Sequence, residues 1–194
     1  MTNGWSVGSI LTVQSGLPYN PVISTNRSNS GVNGGAGGNG GGFDRPNWVV
    51  GRDPYNSSNG VSTGCGSGAT RDNGGTAIAP GTPIGTPTLF YDPCAFALPA
   101  AGHLGNTPRD YLTGPGLTNV DFSVRKNTKL RFLGEAGNLE FRSEFFNIFN
   151  HPNFGMPKNQ IFSGSSSTPI NTSGQITNTA TRSRQIQFSL RVAF

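Results

Sequence analysis

Apolar and polar residues alternate with a period of two in four separate segments of this chain. In the first, over residues 4–14, Trp5, Val7, Leu11 and Val13 share one face of an extended strand, and most intervening residues are small or polar. Successive side chains of a strand point to opposite faces, so this pattern predicts a β-strand with one apolar face.

The second segment, over residues 117–132, alternates more cleanly. Val120, Phe122 and Val124 fall on one face, and polar residues occupy the positions between them. A short turn over residues 133–137 follows, and this succession predicts two neighbouring strands joined by a tight connection.

The strongest alternation comes last, over residues 184–194. Its apolar positions are Ile186, Phe188, Leu190, Val192 and Phe194, separated mostly by Gln, Ser and Arg. About ten alternating residues are the length that one tilted strand needs to cross a membrane as part of a β-barrel. A strand of a soluble sandwich would alternate in the same way, so the pattern alone leaves both readings open.

The remaining segment, over residues 138–149, is ambiguous on its own. Its aromatic residues fit one face of a helix about as well as one face of a strand. Its neighbours favour the strand, which places Glu140, Arg142 and Glu144 together on one face. Burying three charges in lipid is very unfavourable, so we expect these side chains to face a wet lumen.

Glycine and proline dominate the long stretch 15–115, which contains most of the chain's 29 Gly and 14 Pro. So much backbone freedom with so few apolar residues predicts a long solvent-exposed loop instead of a packed domain, and leaves open that short apolar pieces such as 88–91 and 95–98 pack locally. The run 32–43 is nearly all glycine and asparagine, but no Gly-Lys-Ser/Thr follows it, so it does not match a phosphate-binding loop.

The two cysteines of the chain, Cys65 and Cys94, both lie in this glycine-rich stretch. In an oxidising compartment they could form a disulfide, closing a loop of about 30 residues and stabilising it by roughly 3–4 kcal/mol. Two unpaired small residues are the alternative. The two histidines, His103 and His151, are too distant for a ligand spacing typical of zinc, so no metal or cofactor is expected.

Charge and hydropathy argue against several classes of protein. The net charge is +5, but only 12 % of residues are charged and no basic run exceeds Arg125-Lys126, so we do not expect nucleic-acid binding. No apolar run approaches the length of a transmembrane helix. The first residues lack the basic start and apolar core of a secretory signal, so no signal peptide is expected in this chain.

The lengths of the connections favour a membrane barrel. If the last strand ends on the periplasmic side, the short turn 133–137 is periplasmic and both long connections, 15–115 and 150–183, are external. Short periplasmic turns with long external loops are typical of outer-membrane barrels.

Four sequence blocks resemble the C-terminal end of the barrel of Oar-like TonB-dependent receptors of the acidobacterial type. They keep the order of that family and read GWSVGSILTVQSGLPY (4–19), GPGLTNVDFSVRK (114–126), FRSEFFNIFNHPNF (141–154) and RQIQFSLRVAF (184–194). The resemblance implies energised uptake of a ligand across the outer membrane. It also implies that the last strand, ending at Phe194, is the signal read by the barrel-assembly machinery.

The predicted fold class is therefore all-β: an antiparallel up-and-down meander of about four strands, a C-terminal piece of a transmembrane β-barrel, with a long Gly/Pro-rich external loop. Four strands cannot close a barrel. We therefore expect this chain to be a fragment whose partners are outer-membrane lipid, the remainder of the barrel with its plug, and, through that missing part, the TonB complex.

Two other functions compete with transport. A surface binding or adhesion module would display the long loop without moving any ligand. A soluble enzyme would need a site built from scattered residues such as Asp92, His103 and Asp110, but no nucleophile lies at a suitable spacing. We therefore expect no enzyme activity, no catalytic residues and no cofactor.

Overall fold

The computed structural model describes residues 3–30, 44–55, 60–65, 77–163 and 166–194. The glycine-rich run 32–43, which we expected to be exposed loop, lies outside these residues. In the described part, no helix has the length and apolar character needed to cross a membrane.

The chain divides into two compact units. One, called the sheet unit here, consists of Met1–Gly16, Pro115–Phe154 and Thr179–Phe194. The other, called the loop unit, consists of Leu17–Gly114 and Gly155–Asn178. Each unit is therefore assembled from segments that are far apart in the sequence.

The secondary structure of the described residues is all β apart from two short 3-10 turns, Pro93–Ala95 and Arg131–Leu133. The strands are β1 Trp5–Gln14, β2 Pro18–Tyr19, β3 Val22–Ile23, β4 Asn47–Trp48, β5 Phe96–Ala97, β6 Leu112–Thr113, β7 Leu117–Lys129, β8 Asn138–Phe146, β9 Gln160–Phe162 and β10 Gln185–Ala193.

The four long strands form one sheet in the sheet unit. Their order is β1-β7-β8-β10, and every neighbouring pair is antiparallel. Because the order in space follows the order in the chain, the sheet is an up-and-down meander. The predicted fold class is thus confirmed.

The connection between β7 and β8 is longer than the predicted turn 133–137, because β7 ends three residues before the predicted end at 132. β7 ends at Lys129, and Leu130 donates its N–H to the Gly137 carbonyl at 2.9 Å, enclosing the 3-10 turn Arg131–Leu133. Gly134 has a φ of 91°, a backbone conformation that L side chains rarely adopt, which is why glycine stands there.

Both long connections leave the sheet at the end opposite this turn. Gln14 at the end of β1 pairs with Leu117 at the start of β7, and Phe146 at the end of β8 pairs with Gln185 at the start of β10. The segments that leave between these pairs form the loop unit.

The loop unit contains three short strand pairs. β2 pairs with β6 and β4 pairs with β5, both antiparallel, whereas β3 pairs with β9 in parallel. β9 belongs to the second connection and β3 to the first. Segments of both long connections therefore pair with each other within the loop unit.

The loop unit has a real interior, which the sequence did not predict. Its core consists of Ile23, Tyr91, Ala95, Phe96, Leu112, Ile161 and Phe162, each no more than 5 % exposed. The expectation that residues 15–115 form an exposed loop instead of a packed domain is therefore wrong for the part that the structure describes. The physical reason is that β9 adds Ile161 and Phe162 to apolar residues too sparse to form a core by themselves.

A second, smaller core surrounds a disulfide bond. Cys65 is bonded to Cys94 with a Cα–Cα distance of 5.3 Å, and Ile78, Ile84 and Leu89 pack around the bond. The backbone of Cys65 also exchanges two hydrogen bonds with Ile78, at 2.8 and 2.9 Å. The disulfide thus ties residues 60–65 to the 3-10 turn that contains Cys94.

Candidate functional surfaces of the sheet

One face of the sheet is apolar and is not covered by protein in the sheet unit. The most exposed residues of this face are 48–68 % exposed and lie on the two edge strands: Trp5, Val7, Leu11, Val13, Ile186, Phe188, Leu190 and Val192. An apolar surface of this extent on a monomer indicates contact with a partner or with a membrane.

Phenylalanines form the centre of this apolar face. Phe145 lies 6.2 Å from Phe122 on β7 and 6.5 Å from Phe188 on β10, and Phe141 stacks on Phe188 at 6.2 Å between ring centroids. Such pairs contribute roughly 0.5–1.5 kcal/mol each beyond the area they bury. The rings therefore join three strands across one surface.

The opposite face is polar and contains the charges singled out from the sequence. Glu140, Arg142 and Glu144 alternate along β8 and share this face, because their cross-strand partners are Arg191, Ser189 and Gln187. Within the row, the Arg142 guanidinium donates to Glu144 Oε1 at 2.6 Å. Their lumen-facing role is a prediction that rests on this placement.

A second arginine, Arg125, extends the charged surface of the polar face from β8 to β7. Arg125 on β7 lies directly opposite Arg142 and approaches Glu140 at 3.9 Å, while its Nε donates to Ser6 at 3.4 Å. The side chains of Arg125 and Arg142 are 49 % and 48 % exposed. At such exposure each ion pair contributes no more than about 1 kcal/mol, so water must solvate much of the charge.

A buried asparagine organises the end of the sheet where the long connections leave. Asn147 follows β8 directly, has a φ of 50° and is 5 % exposed. Its Nδ2 donates to the carbonyls of His151 and Arg182, at 3.0 and 3.2 Å, and its Oδ1 accepts the N–H of His151 at 2.9 Å. This change of backbone direction ends β8 at Phe146, three residues before the predicted end.

Asn153 continues the same network. Its Oδ1 accepts the backbone N–H of Thr118 at 2.8 Å, and its Nδ2 donates to Thr181 Oγ1 at 3.0 Å. The side chain is 1 % exposed. The Asn-His-Pro-Asn segment therefore has a structural role that ties the ends of β7, β8 and β10 together. Sequence reasoning assigned it only a turn.

The residues considered for an enzyme site do not meet in one place. Asp92 is buried and accepts hydrogen bonds from Ser62 Oγ at 2.7 Å and from the Cys94 N–H at 3.0 Å, so it caps the turn beside the disulfide. Asp110 contacts Asn20, and His103 is exposed after the turn at residues 101–102. Among the described residues no cluster of His, Cys, Asp and Glu could hold a metal ion.

Tyrosines concentrate in the loop unit. Tyr19 packs edge-on against Tyr91 at 6.2 Å, and burial, followed by the neighbouring Tyr91 and Tyr55, raises the pKa of its phenol. Burial likewise raises the pKa of Tyr55, whose hydroxyl accepts the N–H of Thr113. Tyr19 and Tyr55 are partly buried and pack against the core of the loop unit.

The turn end of the sheet carries two open hollows. One has a volume of about 850 Å³ and is lined by Asn3, Gly4, Lys126, Asn127, Thr128, Lys129 and Asn138. The other, of about 620 Å³, is lined by Lys129, Arg131, Gly134, Glu135 and Gly137. Beside them the Lys126 ammonium lies 5.0 Å above the Trp5 ring.

The final strand presents its apolar residues on the uncovered face. Ile186, Phe188, Leu190 and Val192 of β10 pair across to Phe145, Ser143, Phe141 and Leu139 of β8. Phe194 follows the strand and is 90 % exposed. Their function as an assembly signal remains a prediction.

Comparison with known proteins gives one match. A family model described as "Outer membrane beta barrel domain" matches residues 1–187. No curated protein and no solved structure matches the chain. The matched range includes β1 through β9, the first three residues of β10 and both long connections.

Proposed function

This chain belongs to the outer membrane beta barrel domain family, and from that premise we propose that it is a wall segment of a TonB-dependent, Oar-like receptor for energised ligand uptake. The outer membrane is the location that this membership supports. The single observation that carries the proposal is the sheet itself, with an uncovered apolar face, a charged opposite face and both long connections at one end.

The two faces fit the two environments of a barrel wall. The apolar face would contact acyl chains, and the face with Glu140, Arg142 and Glu144 would contact the water-filled interior. A charged side chain on the lipid side is unfavourable by about 2–4 kcal/mol at the middle of the bilayer, so the polar face suits only the lumen.

The two edges of the sheet require further strands. β1 and β10 have no second neighbour among the described residues, and a barrel of this kind needs many more strands than four. We propose that strands of the remaining barrel pair with both edges. A plug and a TonB-contacting segment would come from the same remaining part.

A topology experiment tests the placement of the connections. An epitope inserted after Gly102 in the loop unit should be labelled by antibody on intact cells, whereas an epitope inserted after Gly134 in the short turn should be labelled only after the outer membrane is permeabilised. Labelling of the Gly134 epitope on intact cells would reverse the proposed orientation.

A second experiment tests binding to TonB, on which the proposed energised uptake depends. The protein that carries this chain, extracted from its outer membrane, should be retained by the immobilised periplasmic domain of TonB. Retention that persists after competition with an excess of soluble TonB domain would mark the binding as non-specific. Absence of any retention would contradict the TonB-dependent role.

One observation favours the competing role of a surface binding module. The loop unit is a compact, disulfide-tied body rather than a set of loose loops, which suits display of a binding surface. This role predicts external labelling of the Gly102 epitope without retention by TonB, so the two experiments together separate the two functions.

A further inference from the structure

We infer that the turn end of the sheet binds the headgroup of an anionic phospholipid, through Lys126 beside Trp5 and through Lys129 at the adjoining end of the strand. This site goes beyond the proposed transport. It depends only on the location of the sheet in the outer membrane, so failure of the TonB experiment would leave it standing.

The position of Lys126 is the first argument. Its register partners are Trp5 on β1 and Phe141 on β8, so it lies on the apolar face, where a cation is otherwise unfavourable. Its ammonium lies over the Trp5 ring and donates to the Asn3 carbonyl at 2.7 Å. A lysine on a lipid-facing surface extends its charged end to the interface, where tryptophan also concentrates.

The depth of this pair agrees with an interfacial position. From Trp5 to Val13 the apolar face of β1 extends about 27 Å along the strand, or about 21 Å along the membrane normal at a tilt of roughly 40°. Outer-membrane barrels have an apolar band about 25 Å tall. Trp5 and Lys126 therefore lie near one boundary of the band, at the level of headgroup phosphates.

Charge at this end is complementary to an anionic lipid. Residues 126–138 contain Lys126, Lys129 and Arg131 against a single acid, Glu135. Lys129 starts from the polar face, where its register partner is Asn138, but it lies at the end of the strand and lines both hollows, one with Lys126 and the other with Arg131. The larger hollow, of about 850 Å³, is open to its surroundings, so a headgroup can reach Lys126 and Lys129 there.

Apolar residues at the turn complete the interfacial surface. Phe132 is 81 % exposed and Leu133 is 36 % exposed, next to Arg131. Aromatic and aliphatic side chains beside cations are the composition that inserts into the boundary between headgroups and acyl chains. A lipid, unlike a free anion, therefore accounts for both the cationic residues and the apolar residues of this surface.

The test uses the two tryptophans of the chain, Trp5 and Trp48, one in each unit. In the full barrel protein that carries this chain, Trp48 and any tryptophan outside residues 1–194 are replaced by phenylalanine, and the protein is inserted into phosphatidylcholine vesicles that contain phosphatidylglycerol. Trp5 emission is then quenched with either brominated phosphatidylglycerol or brominated phosphatidylcholine at equal mole fraction. We expect enrichment of phosphatidylglycerol around Trp5 of about fivefold per contributing lysine.

Variants assign the preference to these lysines. Lys126→Gln with Lys129→Gln should abolish the preferential quenching, and Lys126→Arg with Lys129→Arg should restore it. Lys158→Gln, which removes one cation from the loop unit, should leave it intact. If the double glutamine variant does not insert, the arginine variant and the comparison of the two lipids in the unmodified chain still decide the matter.

Two outcomes would overturn the proposal. Equal quenching by the two brominated lipids in the unmodified chain would show that no headgroup is selected. Loss of the preference on adding inorganic phosphate at constant ionic strength would show a free-anion site instead of a lipid site.

Discussion

Asn147 donates its backbone N–H to the Asp121 carboxylate at 2.9 Å, joining the residue that ends β8 to the middle of β7. The same Asp121 oxygen accepts the side-chain amide of Asn119 at 2.8 Å. The backbone of Asn147 can turn away from the sheet because its φ is 50°, which asparagine tolerates better than most residues. The end of the wall is therefore held by polar side chains, not by apolar packing.

Asn147→Gly should destabilise the membrane-inserted protein by roughly 2–4 kcal/mol, because it removes three buried hydrogen bonds while keeping the backbone conformation. Urea unfolding in vesicles measures the loss. The matched control is Asn150→Gly, which has the same φ but removes one hydrogen bond, to the Arg184 N–H. Equal losses for the two variants would contradict the special role of Asn147.

Leu190→Arg should impair insertion strongly, whereas Gln187→Arg should not. Leu190 lies on the apolar face, where arginine is unfavourable by about 2–4 kcal/mol. Gln187 lies opposite Glu144 on the polar face, where a new cation gains a partner. The yield of protease-resistant protein in vesicles measures insertion, and similar yields for both variants would reject the assignment of the faces.

Reduction of the Cys65–Cys94 disulfide should destabilise the loop unit by roughly 3–4 kcal/mol, because the bond closes a loop with a sequence separation of 29. Limited proteolysis within the loop unit should accelerate after treatment with dithiothreitol. Cys65→Ser with Cys94→Ser should behave like the reduced protein and should not respond further to the reductant. A response of the double variant would assign the effect to something other than this bond.

Tyr19→Phe should flatten the alkaline side of the stability profile. The raised pKa of Tyr19 means that the unfolded chain loses this proton near pH 10 while the folded unit keeps it. The stabilising contribution is therefore complete below pH 10 and is lost as the pH rises above it. The free energy of unfolding, measured as a function of pH, should fall less steeply in the variant.

At neutral pH the same substitution should be nearly neutral, since the buried Tyr19 hydroxyl has no hydrogen-bond partner in the described part of the chain. Tyr91→Phe is the control, because the Tyr91 hydroxyl donates to the Lys158 carbonyl at 2.9 Å. That variant should be destabilised by about 1 kcal/mol. A larger loss for Tyr19→Phe than for Tyr91→Phe would contradict this account.

Three of the four long strands were predictable because each contains its own signal, and these three then assigned the ambiguous segment that became β8 as a strand. Alternation with a period of two assigns every side chain to a face, so the grouping of Glu140, Arg142 and Glu144 followed directly from their spacing. The same argument fails at Phe146, because the residue that ends the strand is chosen by the hydrogen bonds of Asn147 to distant carbonyls. No local pattern of residues in the sequence indicates such hydrogen bonds.

The interior of the loop unit could not be predicted for a related reason. Its strands are two or three residues long, too short to show any period. Its core joins Ile23 to Ile161 and Phe162, which lie in different connections. The glycine and proline content correctly indicated backbone freedom. Composition does not show, however, whether apolar residues that are far apart in the sequence pack into a core.

The parallel pairing of Val22–Ile23 with Gln160–Phe162 also imposes an order on folding. The Asn159 side chain donates to the Asn20 carbonyl, 139 positions away, and the hairpin of β7 and β8 lies between them in the chain. Contacts this distant form late, because the entropy of closing the intervening chain must be overcome first. The loop unit therefore completes its fold only after the hairpin of β7 and β8 has been synthesised, so its folding reports that the chain has been made at least as far as β9.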